Sequence, residues 1–242
     1  MTATKNRRTV VLIPGHWLGA WAWDEVVAHL ETDGTRAVAL TLPGLDGDDP
    51  DRAAKTVDDQ AAAIRRVIAD QENQPVIVVA HSGANAPVSL VLDRHPELVA
   101  RVVWVDSGPM ADGVAFAAEF PAELHDLPLP SFDDLAQQAS IEGLSAEALE
   151  RFRTKAVPEP APVLRQSIEL SNEARRRIPT TLVCCSMPGE QVRELAEAGH
   201  PMFAEVAELE HVGVVDLPTG HWPMWSRPRD LAEIIRGAAL SA

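Results

Sequence analysis

The sequence predicts an α/β fold in which a mostly parallel central sheet carries helices on both faces and a small helical cap at one end. Three observations predict it. Short apolar runs alternate with amphipathic helical patterns from residue 9 onward, the rhythm of parallel strands joined by crossover helices. Most of those runs are almost continuously hydrophobic, as strands covered on both faces must be. Residues 108–177 alone break the alternation.

Strands are expected at residues 9–13, 37–42, 75–80, 99–106, 180–185 and 212–217. Helices fall between them at 21–31, 56–71, 84–94, 191–198 and 227–240. The second of these opens with Thr56 and Asp59 at capping-box spacing, so that a hydroxyl and a carboxylate can satisfy amides the helix start leaves unpaired. Right-handed crossovers then stack helices on both sides of one sheet. Residues 108–177 carry no strand pattern and many of the prolines, among them Pro121, Pro128, Pro130, Pro158, Pro160 and Pro162. Helical patterns start there near Ser131 and Ser145, with Leu144 and Leu149 spaced as a hydrophobic staple around the second cap. The chain therefore divides into a core, residues 1–107 and 178–242, and a helical cap insertion, residues 108–177.

At 242 residues, 46% hydrophobic and 24% charged, the chain can bury one sizeable core. A net charge of -15 disfavours nucleic acid and acidic membranes as partners and leaves a small-molecule substrate as the expected one, with homodimerisation left open. The two cysteines, Cys184 and Cys185, are neighbours in an apolar strand, where successive side chains point to opposite faces. Ordinary disulfide geometry is hard to reach from there, so both read as reduced core residues, which suits a cytoplasmic protein. Lys5, Arg7 and Arg8 ahead of residues 10–13 imitate a signal peptide, but Pro14, Gly15 and His16 interrupt the apolar run after four residues. No targeting or membrane segment is expected.

The densest chemical signal is Val78-Val79-Ala80-His81-Ser82-Gly83-Ala84, in which an apolar strand runs through a serine into a helix. This is the context of a nucleophile elbow, whose strained turn demands small residues two before and two after the serine. Ala80 and Ala84 meet that demand. The plain alternative is a serine N-cap. The turn would aim the Gly83 N–H and the start of the following helix at a developing oxyanion. After the first strand, the loop Pro14-Gly15-His16-Trp17-Leu18-Gly19 offers glycines for close approach and a second oxyanion N–H, from His16 in preference to Trp17. Trp21 and Trp23, on the helix start, read as packing residues. Of the eight histidines, His221 alone follows the last strand on a loop that reaches the carboxyl end of the sheet, where open α/β sheets bind ligands. Serine first and histidine last is also the chain order of enzymes built on such an elbow.

These features resemble the α/β-hydrolase superfamily, and residues 15–23 look most like its hydroxynitrile lyase and plant methylesterase branch, whose loop reads His-Gly-Ala-x-x-Gly-Ala-Trp-x-Trp. The resemblance covers nearly the whole chain. It implies an α/β-hydrolase fold with a helical cap, no metal or organic cofactor, and ester hydrolysis as the usual activity. Two departures stand out. Pro14 replaces the histidine before the glycine, and His16 replaces the alanine after it, which brings an imidazole toward the pocket. The family's usual acid, an aspartate soon after the fifth strand, is missing, because Ser186-Met187-Pro188-Gly189-Glu190 stands there. The candidates are Asp106, at the end of the fourth strand, and Glu190. Asp106 is preferred because some lipases of the superfamily carry their acid at that strand end.

The expected constellation is Ser82 as nucleophile, His221 as base, Asp106 as acid, and the amides of His16 and Gly83 as oxyanion donors. Trp17 and Trp222 are expected to line a pocket roofed by apolar residues of the insertion: Phe116, Phe120, Leu124, Phe132, Leu135, Ile141, Phe152 and Leu164. About half of those roof residues are expected to serve cap packing. Lyase chemistry on the same residues is a second reading, weakened by the scarcity of lysines: Lys5, Lys55 and Lys155 are the only ones. A ligand-binding protein without catalysis is a third, supported only by the missing acid.

Overall fold

Apolar runs that would otherwise face water become the central strands of a sheet, buried on both sides, while the last strand is largely exposed; one or more helices lead from each strand of that sheet to the next. The computed structural model describes residues 8–32, 34–72 and 75–241; Lys5 and Arg7 of the charged N-terminal run lie outside the described residues. In chain order the strands are β1 (Val10–Ile13), β2 (Ala37–Ala39), β3 (Val76–His81), β4 (Val99–Val105), β5 (Asp126–Leu127), β6 (Glu159–Pro160), β7 (Thr180–Cys184) and β8 (Val212–Asp216). The helices are α1 (Asp24–Thr32), α2 (Val57–Ala69), α3 (Asn85–Arg94), α4 (Phe132–Leu135), α5 (Ala146–Lys155), α6 (Ala161–Arg165), α7 (Gly189–Glu197), α8 (Ala204–Ala207), α9 (Pro223–Ser226) and α10 (Pro228–Leu240).

Six strands form one sheet in the order β2-β1-β3-β4-β7-β8, and every pairing in it is parallel. Alternate residues feed two cores. Val11, Ile13, Val78, Trp104, Leu182 and Cys184 pack on one face with Ile64 and Ile68 of α2, Val88 of α3 and Val192 of α7. Leu12, Ile77, Val79, Val103, Val183 and Cys185 pack on the other with Val26 and Leu30 of α1 and Leu231 and Ile235 of α10. The neighbouring cysteines thus point to opposite faces, and both are free and buried. Among the described residues no helix is long and apolar enough to cross a membrane.

Three expectations needed correction. The second strand, expected to reach residue 42, ends at Ala39; beyond it only the Leu40 amide still donates to the Leu12 carbonyl, before Pro43 and Gly44 turn the chain. The helix expected from residue 21 begins as a 3-10 turn, Ala20–Trp23, and becomes α-helical at Asp24. Residues 108–177, expected to lack strands, hold a short antiparallel ribbon in which Asp126 faces Pro160 and Leu127 faces Glu159. Two residues per strand are too few to print a period-2 pattern.

The side chains of Ser131 and Ser145 cap α4 and α5 as their positions imply. At α2 the Thr56 hydroxyl accepts from the Asp59 amide while the Asp59 carboxylate accepts from the Thr56 amide, a complete capping box. Thr56→Ala should therefore lower stability by about 1 kcal/mol, read from the shift of the urea midpoint at constant slope.

Candidate active site

Among the described residues, three other than glycine hold a left-handed backbone: Trp17 (φ 65°), Ser82 (φ 50°) and Asp106 (φ 44°). Side chains make that conformation costly, so it persists where the surroundings impose it. All three residues lie just past the carboxyl ends of adjacent strands β1, β3 and β4.

The sheet register explains two of them. His81 at the end of β3 pairs with Val105 at the end of β4, so the next residues, Ser82 and Asp106, leave the sheet side by side. From the loop after β8, His221 reaches between them. Its Nε2 lies 2.8 Å from Ser82 Oγ and its Nδ1 lies 2.6 Å from Asp106 Oδ2. The three residues expected as nucleophile, base and acid are therefore brought into one hydrogen-bonded line. Glu190, the rival acid, is exposed on the first turn of α7.

Asp106 is the most heavily supported group of the three. Its Oδ1 accepts from the amides of Cys185 (3.0 Å) and Ser186 (2.9 Å), and its Oδ2 accepts from Ser186 Oγ at 2.6 Å besides His221. Burial alone would raise this carboxyl, but the hydrogen bond and charge of His221 and the Ser186 donors outweigh it and hold the group at about 2.

The His221 loop is held from two sides. The amide of His221 donates to Ser140 O at 2.7 Å and that of Gly220 to Glu142 O at 3.2 Å, both carbonyls belonging to the segment between β4 and β7. Gly220 is required there, since a Cβ would lie 2.5 Å from Glu142 O and 2.6 Å from Ser140 O. From below, His81 Nε2 lies 2.8 Å from the His221 carbonyl and must be the donor. Burial, reinforced by the nearby His221, pushes His81 down to about 3, so its ring is neutral.

Gly15 lies against Ser82, where a Cβ would come within 2.7 Å of Ser82 Cβ. The imidazole of His16 is buried and occupies the space a side chain on Gly83 would need, its Nε2 2.3 Å from that missing Cβ. His16 Nδ1 pairs with Glu159 Oε2 at 3.0 Å, and Phe116 packs edge-on at 4.4 Å. Trp17 is partly exposed and donates its indole N–H to Leu127 O at 3.0 Å. Trp222 is almost wholly buried between Phe152 and the His221 ring, which leaves little of it for a substrate. Of the expected roof residues, Leu135, Phe152 and Leu164 are buried, whereas Phe116 and Leu124 are exposed. Burial raises both cysteines, Cys184 to about 11, so neither is poised as a thiolate.

Sequence reasoning missed Ser186, Glu159 and the role of His81. Glu159 comes from a distant segment with no motif around it, and Ser186 lies in the loop searched for an acid, where a serine gave no signal of its own. His81 carried a signal, because a polar residue closing a buried strand beside the nucleophile needs a partner.

The chain belongs to the alpha/beta hydrolase family, whose model matches residues 10–234. Among its relatives, an Arabidopsis thaliana protein described as a putative chloroplastic methylesterase 14 is 30% identical over 105 residues, covering 43% of this chain and 30% of that protein. The carbendazim hydrolyzing esterase of a Nocardioides species is 26% identical over 245 residues, covering 92% of this chain and 96% of that one. Among solved structures, the Arabidopsis methylesterase MES16 superposes with a TM-score of 0.75 at 15% identity, covering 97% of this chain and 100% of that one. The matches to the first plant relatives span only 30–40% of their length. The resemblance to the plant methylesterase branch is borne out, and so is the fold.

Two outcomes follow from this geometry. The Asp106 carboxyl sits below its ordinary 3.8 in the folded chain, so its contribution to stability is complete above that value and lost as pH falls through it toward about 2. Asp106→Asn should accordingly flatten the acid limb of the stability curve between those two values, measured by urea unfolding at stepped pH. Gly220→Ala, forced against two carbonyls, should displace His221 and lower turnover by at least about tenfold with the sheet intact by circular dichroism.

Proposed function

We propose that this protein is a serine esterase that works through an acyl-enzyme on a small, partly apolar ester. The observation that carries the reading is the continuous line Ser82 Oγ, His221, Asp106. Ser82 Oγ attacks the carbonyl carbon while its proton passes to His221 Nε2, and Asp106 holds the Nδ1–H tautomer and stabilises the imidazolium. The Ser82 turn acts as the nucleophile elbow. Negative charge on the carbonyl oxygen is taken up by the amides of Gly83, which opens a helix and lacks an intrahelical acceptor, and of His16. The imidazolium then protonates the departing alcohol. In the second half His221 activates water, which releases the acid and restores Ser82.

The names of the relatives support a methyl or other small alkyl ester as the first substrate to test. Residues 108–177 act as the cap, with Phe116 and Leu124 at its exposed edge receiving the apolar part of the substrate, and the site of action is the cytoplasm. The hydrogen bond of His221 to Asp106 speaks against a non-catalytic binder, a reading that rested on a missing acid. Of the described lysines, Lys55 pairs with Asp49 and Lys155 lies over Trp21, which disfavours lyase chemistry that adds a lysine to the base.

A fluorophosphonate probe tests the class. Wild type should label and Ser82→Ala should not; a folded wild type that never labels overturns the reading. On an aryl acetate, Asp106→Asn should lower kcat by about 10³- to 10⁴-fold, as loss of a triad acid does, while Glu190→Gln keeps the wild-type rate.

A further inference from the structure

Glu159 lies in β6, far along the chain from every residue of the catalytic line, yet it is almost completely buried beside the site. A buried carboxylate persists when it is paired and hydrogen-bonded. Both partners of Glu159 belong to the loop after β1. His16 Nδ1 lies 3.0 Å from its Oε2, and the Trp17 amide donates to the same oxygen at 3.4 Å. One carboxylate oxygen thus grips two consecutive residues, the second of which is held in the left-handed region.

The other end of the His16 ring meets the nucleophile turn. Its Cδ2, Nε2 and Cε1 lie 2.3–2.4 Å from where a Gly83 Cβ would stand, so the ring edge bears directly on the Gly83 α-carbon. What faces Nε2 is a Cα–H, which offers a weak donor and no acceptor, and Nε2 has no hydrogen-bond partner. The imidazole is therefore a spacer, anchored by Glu159 at one end and seated on Gly83 at the other.

His16 and Gly83 are also the two residues whose amides the proposed mechanism assigns to the oxyanion. We infer that Glu159 is a positioning residue for the oxyanion hole, acting through the His16 imidazole to fix the loop amide against the Gly83 amide. This inference rests on the serine-esterase reading. It gives the cap segment a part in the chemical step as well as in substrate enclosure. Gln at position 159 keeps an oxygen beside His16 Nδ1 and an acceptor for the Trp17 amide, whereas Ala removes both.

The test compares wild type, Glu159→Ala and Glu159→Gln on an aryl acetate, with an aryl trifluoromethyl ketone as inhibitor, since its adduct with Ser82 carries the oxyanion. Glu159→Ala should lower kcat on the order of 100-fold, the scale of losing one oxyanion donor, with KM within about threefold. Its inhibition constant for the trifluoromethyl ketone should rise by a similar factor, while that for the corresponding methyl ketone stays put. Glu159→Gln should recover kcat to within about fivefold of wild type by restoring the acceptor. A kcat unchanged in Glu159→Ala, a change confined to KM, or equal loss for both ketones overturns the inference. Should Glu159→Ala fail to fold, Glu159→Asp, which withdraws the carboxylate by one methylene, decides by the same ratio of ketone affinities. Failure of wild type itself to label with fluorophosphonate strikes the esterase reading instead, and this inference with it.

Discussion

Four donors converge on the Asp106 carboxylate, and the site depends on that convergence. A buried charge is tolerated only with its lone pairs occupied, and here the amides of Cys185 and Ser186, the Ser186 hydroxyl and the His221 ring occupy them. The same hydrogen bonds tie the ends of β4 and β7 to the loop after β8. Positioning Asp106 and positioning His221 are thus one structural event. The left-handed backbone of Asp106 is retained because these bonds and the Asp106 amide's own bond to Val183 O leave it no alternative.

A parallel sheet makes such a convergence easy. All its strands end on one side, and register alone sets Ser82 beside Asp106. This explains how the proposed acid can stand at the end of β4 while the loop after β7, where relatives were expected to carry it, supplies only donors. Moving the carboxylate one strand closer to the nucleophile keeps it within reach of the same imidazole. Ser186, in that loop, donates its amide and its hydroxyl to the carboxylate.

The segment between β4 and β7 reaches the site at two points. Its Ser140 and Glu142 carbonyls hold the His221 loop, and its Glu159 carboxylate holds His16 and Trp17. Both contacts fall on loops rather than on the sheet. Loops lack the cooperative ladder that fixes a strand, so their geometry must be imposed from outside, and a packed insertion provides the partners.

Alternation of apolar runs and helical patterns determined the sheet, its helices and the opposite facing of Cys184 and Cys185, because periodicity is a local property of the chain. The small residues around Ser82 and the lone histidine after the last strand likewise determined where a nucleophile and a base would stand. Asp106 was legible as the preferred of two candidates; its place beside Ser82 came from the pairing of β3 with β4, since register depends on strands far apart in sequence. Glu159, Ser186 and the seat of His16 on Gly83 were decided by the tertiary structure alone. Each is a contact between segments with no common motif, and a sequence carries no trace of a hydrogen bond whose partners meet only after the chain has folded.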